Sequence, residues 1–196
     1  GKEYRENGSP VYSGGFVKGL REGKGSLYGL DGNLVYQGQF KANRRHGSGK
    51  AFHENGKMAF DGNWDTNQKT GLGELFDENG VLLYQGSFVE DQPEGQGKEF
   101  RKDGSLLFEG FFLQGTRQGV GKIYFADGTV QYDGDFVEGS QEGRGKEYRP
   151  DGTLIYEGGW LSGRRDGKGK LFSKEGVVRF EGLFAKGLIE GKGSEF

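Results

Sequence analysis

An aromatic residue, a glycine two positions on and a second aromatic two further recur at one fixed step through the chain. The first aromatic of each copy is Tyr12, Tyr36, Phe60, Tyr84, Phe108, Tyr132, Tyr156 and Phe180, so each interval (36 − 12, 60 − 36 and onward) is 24 residues. Eleven residues lead in, seven full copies start at 12, 36, 60, 84, 108, 132 and 156, and a shorter copy runs 180–196. Self-similarity at this period means equal supersecondary units stacked on one another. The whole chain, 1–196, therefore reads as a single repeat array. Its first residue, Gly1, falls inside a repeat (1–11), which reads as an excised piece of a longer chain.

Numbered from the first aromatic, position 3 is always Gly and position 5 always aromatic, from Phe16 to Phe184. Positions 12 and 14 are Gly throughout, and position 17 is aromatic from Tyr28 to Phe196. Glycine content alone (41 of 196, mean hydropathy −0.78) would suggest disorder. Yet 37 of those glycines occupy five repeat positions and 25 of the 27 aromatics occupy three. Glycine here is placed for geometry.

Position 20 is Asp, Asn or Glu before an invariant Gly, as in Asp31-Gly32 and Asn55-Gly56. Such pairs predict a type I′ hairpin turn, in which both central residues have φ > 0. Position 8 is only Gly, Asn or Asp, which marks a second turn. Two turns make two strands per repeat. Alternation puts positions 23, 1, 3 and 5 on one face, with acids such as Glu157 at position 2 on the other. Glycines at 3, 12 and 14 leave bare sites for neighbouring rings. Each costs roughly 0.5–1 kcal/mol against Ala. A buried ring recovers several times that, since it removes about 150–250 Å² from water. The expected fold is all-β: an elongated, twisted single-layer antiparallel sheet of repeated β-hairpins.

Reaction chemistry has little footing. His46 and His53 occupy unrelated positions, 11 and 18, and read as surface residues. Gly47-Ser48-Gly49-Lys50 lacks the Ser/Thr and the first-Gly spacing of a phosphate loop. There is no cysteine, no run with calcium-loop spacing and no unique acid–base pair. The expectation is no catalysis, no cofactor and no metal. A net charge of −2, with neither half basic, argues against nucleic-acid binding.

Binding has more. A one-layer sheet cannot bury every ring, so Tyr12, Phe16, Tyr36, Phe40, Trp64, Tyr84, Phe88, Tyr132, Phe136, Tyr156 and Trp160 are candidates to line a groove for a partner protein or peptide, with the two tryptophans as anchors. Lys50, Lys98, Lys122, Lys146 and Lys170 recur at position 15, and basic residues such as Arg21, Arg45 and Arg165 at position 10. They read either as a solubilising stripe paired with the position-2 acids or as an anionic-lipid surface. Open strand edges add a homodimer through edges or terminal repeats.

The run Tyr156-Glu157-Gly158-Gly159-Trp160 through Gly163 to Gly167-Lys168-Gly169 resembles the MORN (membrane occupation and recognition nexus) repeat, and the likeness covers the whole chain. The step of 24 departs from the more usual 23. The resemblance implies a twisted sheet with a peptide-binding groove. It also implies a eukaryotic-type scaffold in the cytoplasm, at membrane–cytoskeleton junctions, with dimerisation through terminal repeats in some members. The competing implication is a phosphoinositide-docking or regulatory segment of a larger enzyme such as a lipid kinase.

Overall fold

The computed structural model describes residues 1–195, so Phe196, the last expected position-17 ring, lies outside the described residues. Strands joined by turns and short loops account for them, with no helix among the described residues. The chain divides into two compact units, Gly1–Glu94 with Lys102–Gly104, and Gly95–Arg101 with the residues from Ser105 on.

In the first unit, β1 (Lys2–Tyr4), β2 (Pro10–Val17), β3 (Leu20–Tyr28), β4 (Leu34–Lys41), β5 (Arg44–Phe52), β6 (Met58–Asp65), β7 (Gln68–Phe76) and β8 (Leu82–Val89) follow one another. Each pairs antiparallel with the next. In the second, β9 (Gln92–Phe100, from Gly95 on) leads into β10 (Leu106–Leu113), β11 (Thr116–Tyr124), β12 (Val130–Val137), β13 (Ser140–Tyr148), β14 (Leu154–Leu161), β15 (Arg164–Phe172), β16 (Val178–Ala185) and β17 (Leu188–Glu195). These too pair in chain order, always antiparallel. Each unit is thus a sheet of consecutive hairpins.

The two turns exchange the roles the sequence suggests. The Asp-Gly connection is five residues long, from Tyr28 to Leu34, and only Gly32 has positive φ (80°); Asp31 does not. Gly32 N donates to Gly29 O at 3.1 Å and Gly29 N to Asn33 O at 2.8 Å, as in a type I turn closed by a left-handed glycine. The type I′ turn lies instead at positions 7 and 8, where β2 and β3 are two residues apart. There Lys18 (φ 50°) and Gly19 (φ 79°) are both left-handed, as are Ala42 (47°) and Asn43 (69°). Loop length, not the Asx-Gly pair, selects the turn.

Positions 3 and 14 face each other from hairpin to hairpin within each unit, for example Gly38 opposite Gly49 in the first and Gly158 opposite Gly169 in the second. A Cβ on Gly158 would meet Gly169 Cα at 2.5 Å, and one on Gly169 would overlap the Tyr156 ring. The position-1 ring lies over this bare pair, and a tyrosine there donates its hydroxyl to the position-4 carbonyl: Tyr12 to Gly15 at 3.1 Å, Tyr156 to Gly159 at 2.9 Å. Position 12 differs: Gly23 and Gly167 have φ of 68° and 71° with open space beside them, so they serve a bulge rather than a ring.

A second bulge corrects the expected faces. Tyr156 pairs with Glu147, but the next partner of β13, Tyr148, pairs with Leu154, skipping Ile155. Cross-strand partners share a face. Position 23 therefore sits with position 17 and the position-2 and position-15 charges, not with the position-1 ring.

Candidate functional site

One face of each unit is a closed aromatic zigzag. Within each unit the position-1 rings Tyr12, Tyr36 and Phe60, and Phe108, Tyr132 and Tyr156, meet the position-5 ring of their own repeat and that of the next, edge to face. In the first unit Tyr12 lies 5.2 Å from Phe16 and 4.9 Å from Phe40, and Tyr36 lies 5.4 Å from Trp64. In the second, Tyr132 lies 5.0 Å from Trp160, and Tyr156 lies 5.6 Å from Trp160 and 5.0 Å from Phe184. Such pairs add about 0.5–1.5 kcal/mol each beyond area burial.

This closure overturns the expectation that these rings line an open groove. Tyr12, Tyr36, Phe40, Trp64, Tyr84, Phe88, Tyr132, Phe136, Tyr156 and Trp160 are buried, with 0–7% of their surface accessible; only Phe16, at 37%, is exposed. Trp64 and Trp160 turn their indole N–H inward, to Gly49 O at 2.9 Å and Gly145 O at 3.2 Å. They are core, not anchors. Burial pushes the Tyr36 hydroxyl up to about 12, against the opposing pull of Arg45.

The position-10 cations lid this face rather than pairing with the position-2 acids. The Arg45 guanidinium stands 4.2 Å over the Trp64 ring, and Arg165 5.1 Å over Tyr156. Three of these cations pair with acids at position 16 of the preceding repeat, Arg21 to Glu3 at 2.8 Å, Arg117 to Glu99 at 2.7 Å and Arg165 to Glu147 at 2.6 Å, whereas Lys69 reaches Asp91 at position 8 of the next at 4.0 Å.

The position-15 lysines lie on the opposite face, and they do meet the position-2 acids. Lys50 reaches Asp61 at 2.8 Å, Lys98 reaches Glu109 at 3.3 Å, Lys122 reaches Asp133 at 3.2 Å, Lys146 reaches Glu157 at 3.2 Å and Lys170 reaches Glu181 at 3.1 Å. Hydrogen bonding to those carboxylates raises the Lys122 and Lys146 ammonium groups above their ordinary value. The result is a ladder of alternating charge running across the strands, half-exposed and weak pair by pair.

Beside the ladder the sheet is open. In the second unit a trough is walled by Lys146, Glu157, Lys170 and Glu181 on one side and by Arg144, Lys168 and Leu183 on the other. Its floor is the backbone of Gly145, Gly158 and Gly169, whose missing side chains would point to the ring face. Tyr148 stands at its margin. A matching trough in the first unit has Lys50 and Asp61 along it and Gly25, Gly38 and Gly49 beneath. Along the far side of this face runs an exposed apolar row at position 6: Val17 and Val89 in the first unit, Leu113, Val137 and Leu161 in the second.

Two supports were not foreseen. At position 18, Arg149 donates to Leu154 O at 2.9 Å and to Phe172 O at 3.1 Å, tying its turn to the next repeat; Arg101 does the same to Leu106 and Tyr124. Their recurrence with Arg5, 96 and 48 residues apart, was the available signal. At position 8, Asn43 and Asn67 do more than tolerate a left-handed backbone: their side chains accept from Arg21 N at 2.7 Å and Arg45 N at 2.9 Å in the preceding repeat.

The histidines stay apart. His46 Nδ1 lies 3.0 Å from Asp65, and His53 Nε2 lies 3.0 Å from Phe76 O. Among the described residues no three His, Cys, Asp or Glu side chains cluster as a metal site would require.

Comparison with known families matches seven of these repeats in register. The MORN repeat model matches residues 12–34, 36–58, 84–106, 108–130, 132–154, 156–177 and 180–195, and a MORN repeat variant matches 69–90. None of the curated proteins matches the chain.

Proposed function

The chain belongs to the MORN repeat family, and on that premise we propose that it is a non-catalytic scaffold that captures a partner protein or peptide along the trough of its charge-laddered face. MORN repeats are in general protein- and membrane-interaction modules. The observation that carries the reading is the division of the faces. The rings close on one another, whereas the opposite face keeps an open, regular trough with donors, acceptors and apolar side chains in reach. A docking place at a membrane–cytoskeleton junction fits such a scaffold. The lipid-docking alternative is weakened by the lysines themselves, since each candidate already faces a carboxylate.

The test is affinity capture from native cells with the intact chain and two charge-reversed forms. Arg144→Glu with Lys168→Glu alters the trough, and Lys18→Glu with Lys186→Glu alters exposed turns. The expected result is a specific partner lost only by the trough form. Equal capture by all three, or pelleting with anionic vesicles that the trough form abolishes, would overturn it.

A further inference from the structure

The trough face carries a periodic row outside the ring zigzag, tied to the charge ladder at Tyr124, whose hydroxyl donates to Glu109 at 3.2 Å. Because of the bulge at position 24, position-17 rings and position-23 aliphatics alternate strand by strand: Tyr124, Val130, Tyr148, Leu154, Phe172 and Val178 in the second unit. All six are half-buried, so each keeps some accessible surface. A ring stands on every second strand, with a shorter aliphatic side chain in the dip between. At 4.7–4.9 Å per strand the dips recur at about 9.4–9.8 Å.

That spacing discriminates among ligand backbones. An extended strand laid along the row repeats its facing side chains every two residues, about 6.7 Å, and falls out of step at once. A heptad-patterned helix repeats at about 10.5 Å and drifts by roughly 1 Å per repeat. A polyproline II segment has three residues per turn and a rise of about 3.1 Å, hence a repeat of about 9.3 Å, and stays within a few tenths of an ångström per repeat. Aromatic-lined grooves are what such segments dock into.

The ladder supplies the second half of the recognition. Lys146 lies two residues before Tyr148 on the same face, and Lys122 and Lys170 stand likewise to Tyr124 and Phe172. A polyproline II backbone makes no internal hydrogen bonds, so its carbonyls are free to accept. Each ammonium has three N–H donors, so its carboxylate partner cancels the charge that would draw an anionic lipid but leaves N–H groups for a neutral carbonyl.

We infer that the row Tyr124, Tyr148, Phe172 of the second unit takes a proline-rich segment of a partner protein in the polyproline II conformation, one proline of each three seated over Val130 and Leu154. The row runs beside the trough, which Tyr148 lines, so this rests on the trough face being the capture surface and names the class of its occupant. The ligand is stiff before it binds, so little conformational entropy is lost, which suits a shallow site.

The experiment titrates the full chain with two fluorescent synthetic peptides of equal length and composition. One has proline at every third residue; the other has the same prolines at every second and fourth. The in-step peptide is expected to bind at least about tenfold more tightly, and Tyr148→Ala to remove that preference. Tyr148→Phe, which keeps the ring, is expected to retain it, so a loss caused by loosened packing is told apart by the conservative variant and by the melting curve. Equal binding of the two peptides, or binding of neither, overturns the inference. Preference for an amphipathic helical control peptide overturns it too, while leaving the trough as a capture surface; failure of the partner capture described above would remove that surface itself.

Discussion

At the scale of single residues, the glycines divide into those that make room and those that bend the chain, and the difference is measurable. Gly169 lies under the Tyr156 ring, and the ring is fully buried. Gly176 has open space around it but a φ of 78°. Gly169→Ala must displace a packed ring, a cost of about 1–3 kcal/mol and more where the ring cannot move. Gly176→Ala meets only the left-handed penalty of about 1–2 kcal/mol, and Gly176→Asn less. Urea denaturation of the three variants should rank them Gly169→Ala, Gly176→Ala, Gly176→Asn, from least to most stable. The ring positions were legible because aromatics and glycines share one beat. That they close over one another was not, because the sequence says which residues share a face and not what covers that face. The lids are the position-10 cations, and a cation at a fixed spacing looks the same whether it caps a ring or faces solvent.

At the scale of elements, the hairpins depend on two turns with different backbone demands. The sequence marks both, but a dipeptide preference cannot say which loop is two residues long and which is five. That depends on where pairing stops, which the bulges at positions 12 and 24 decide. Ala42 occupies the first left-handed site of a type I′ turn at φ 47°, where an alanine Cβ is strained. Its amide N–H donates to Glu22 at 3.0 Å, a bond that any L-residue other than proline preserves. Ala42→Asn is therefore expected to stabilise the protein by about 0.5–1 kcal/mol, read as a rise in melting temperature without change in the far-UV spectrum. No rise would mean that the turn is held by its neighbours and not by its own preference.

At the scale of the whole molecule, each unit is built from contacts between adjacent repeats, so damage should stay local. Trp160 joins Tyr132 and Tyr156 edge to face and donates to Gly145. Replacing it by alanine removes the ring, both edge contacts and a buried hydrogen bond, a loss of about 3–5 kcal/mol. In a nearest-neighbour stack that loss falls on the repeats sharing the zigzag around Trp160. Hydrogen exchange of Trp160→Ala should therefore quicken in β12 through β16, while the amides of the first unit, whose own zigzag runs from Tyr12 to Phe88, keep their protection. A uniform loss of protection from β2 to β17 would show one cooperative unit instead. It would also mean that the trough of the second unit cannot be altered without cost to the first, a constraint that a scaffold taking partners at separate places along its length would be expected to avoid.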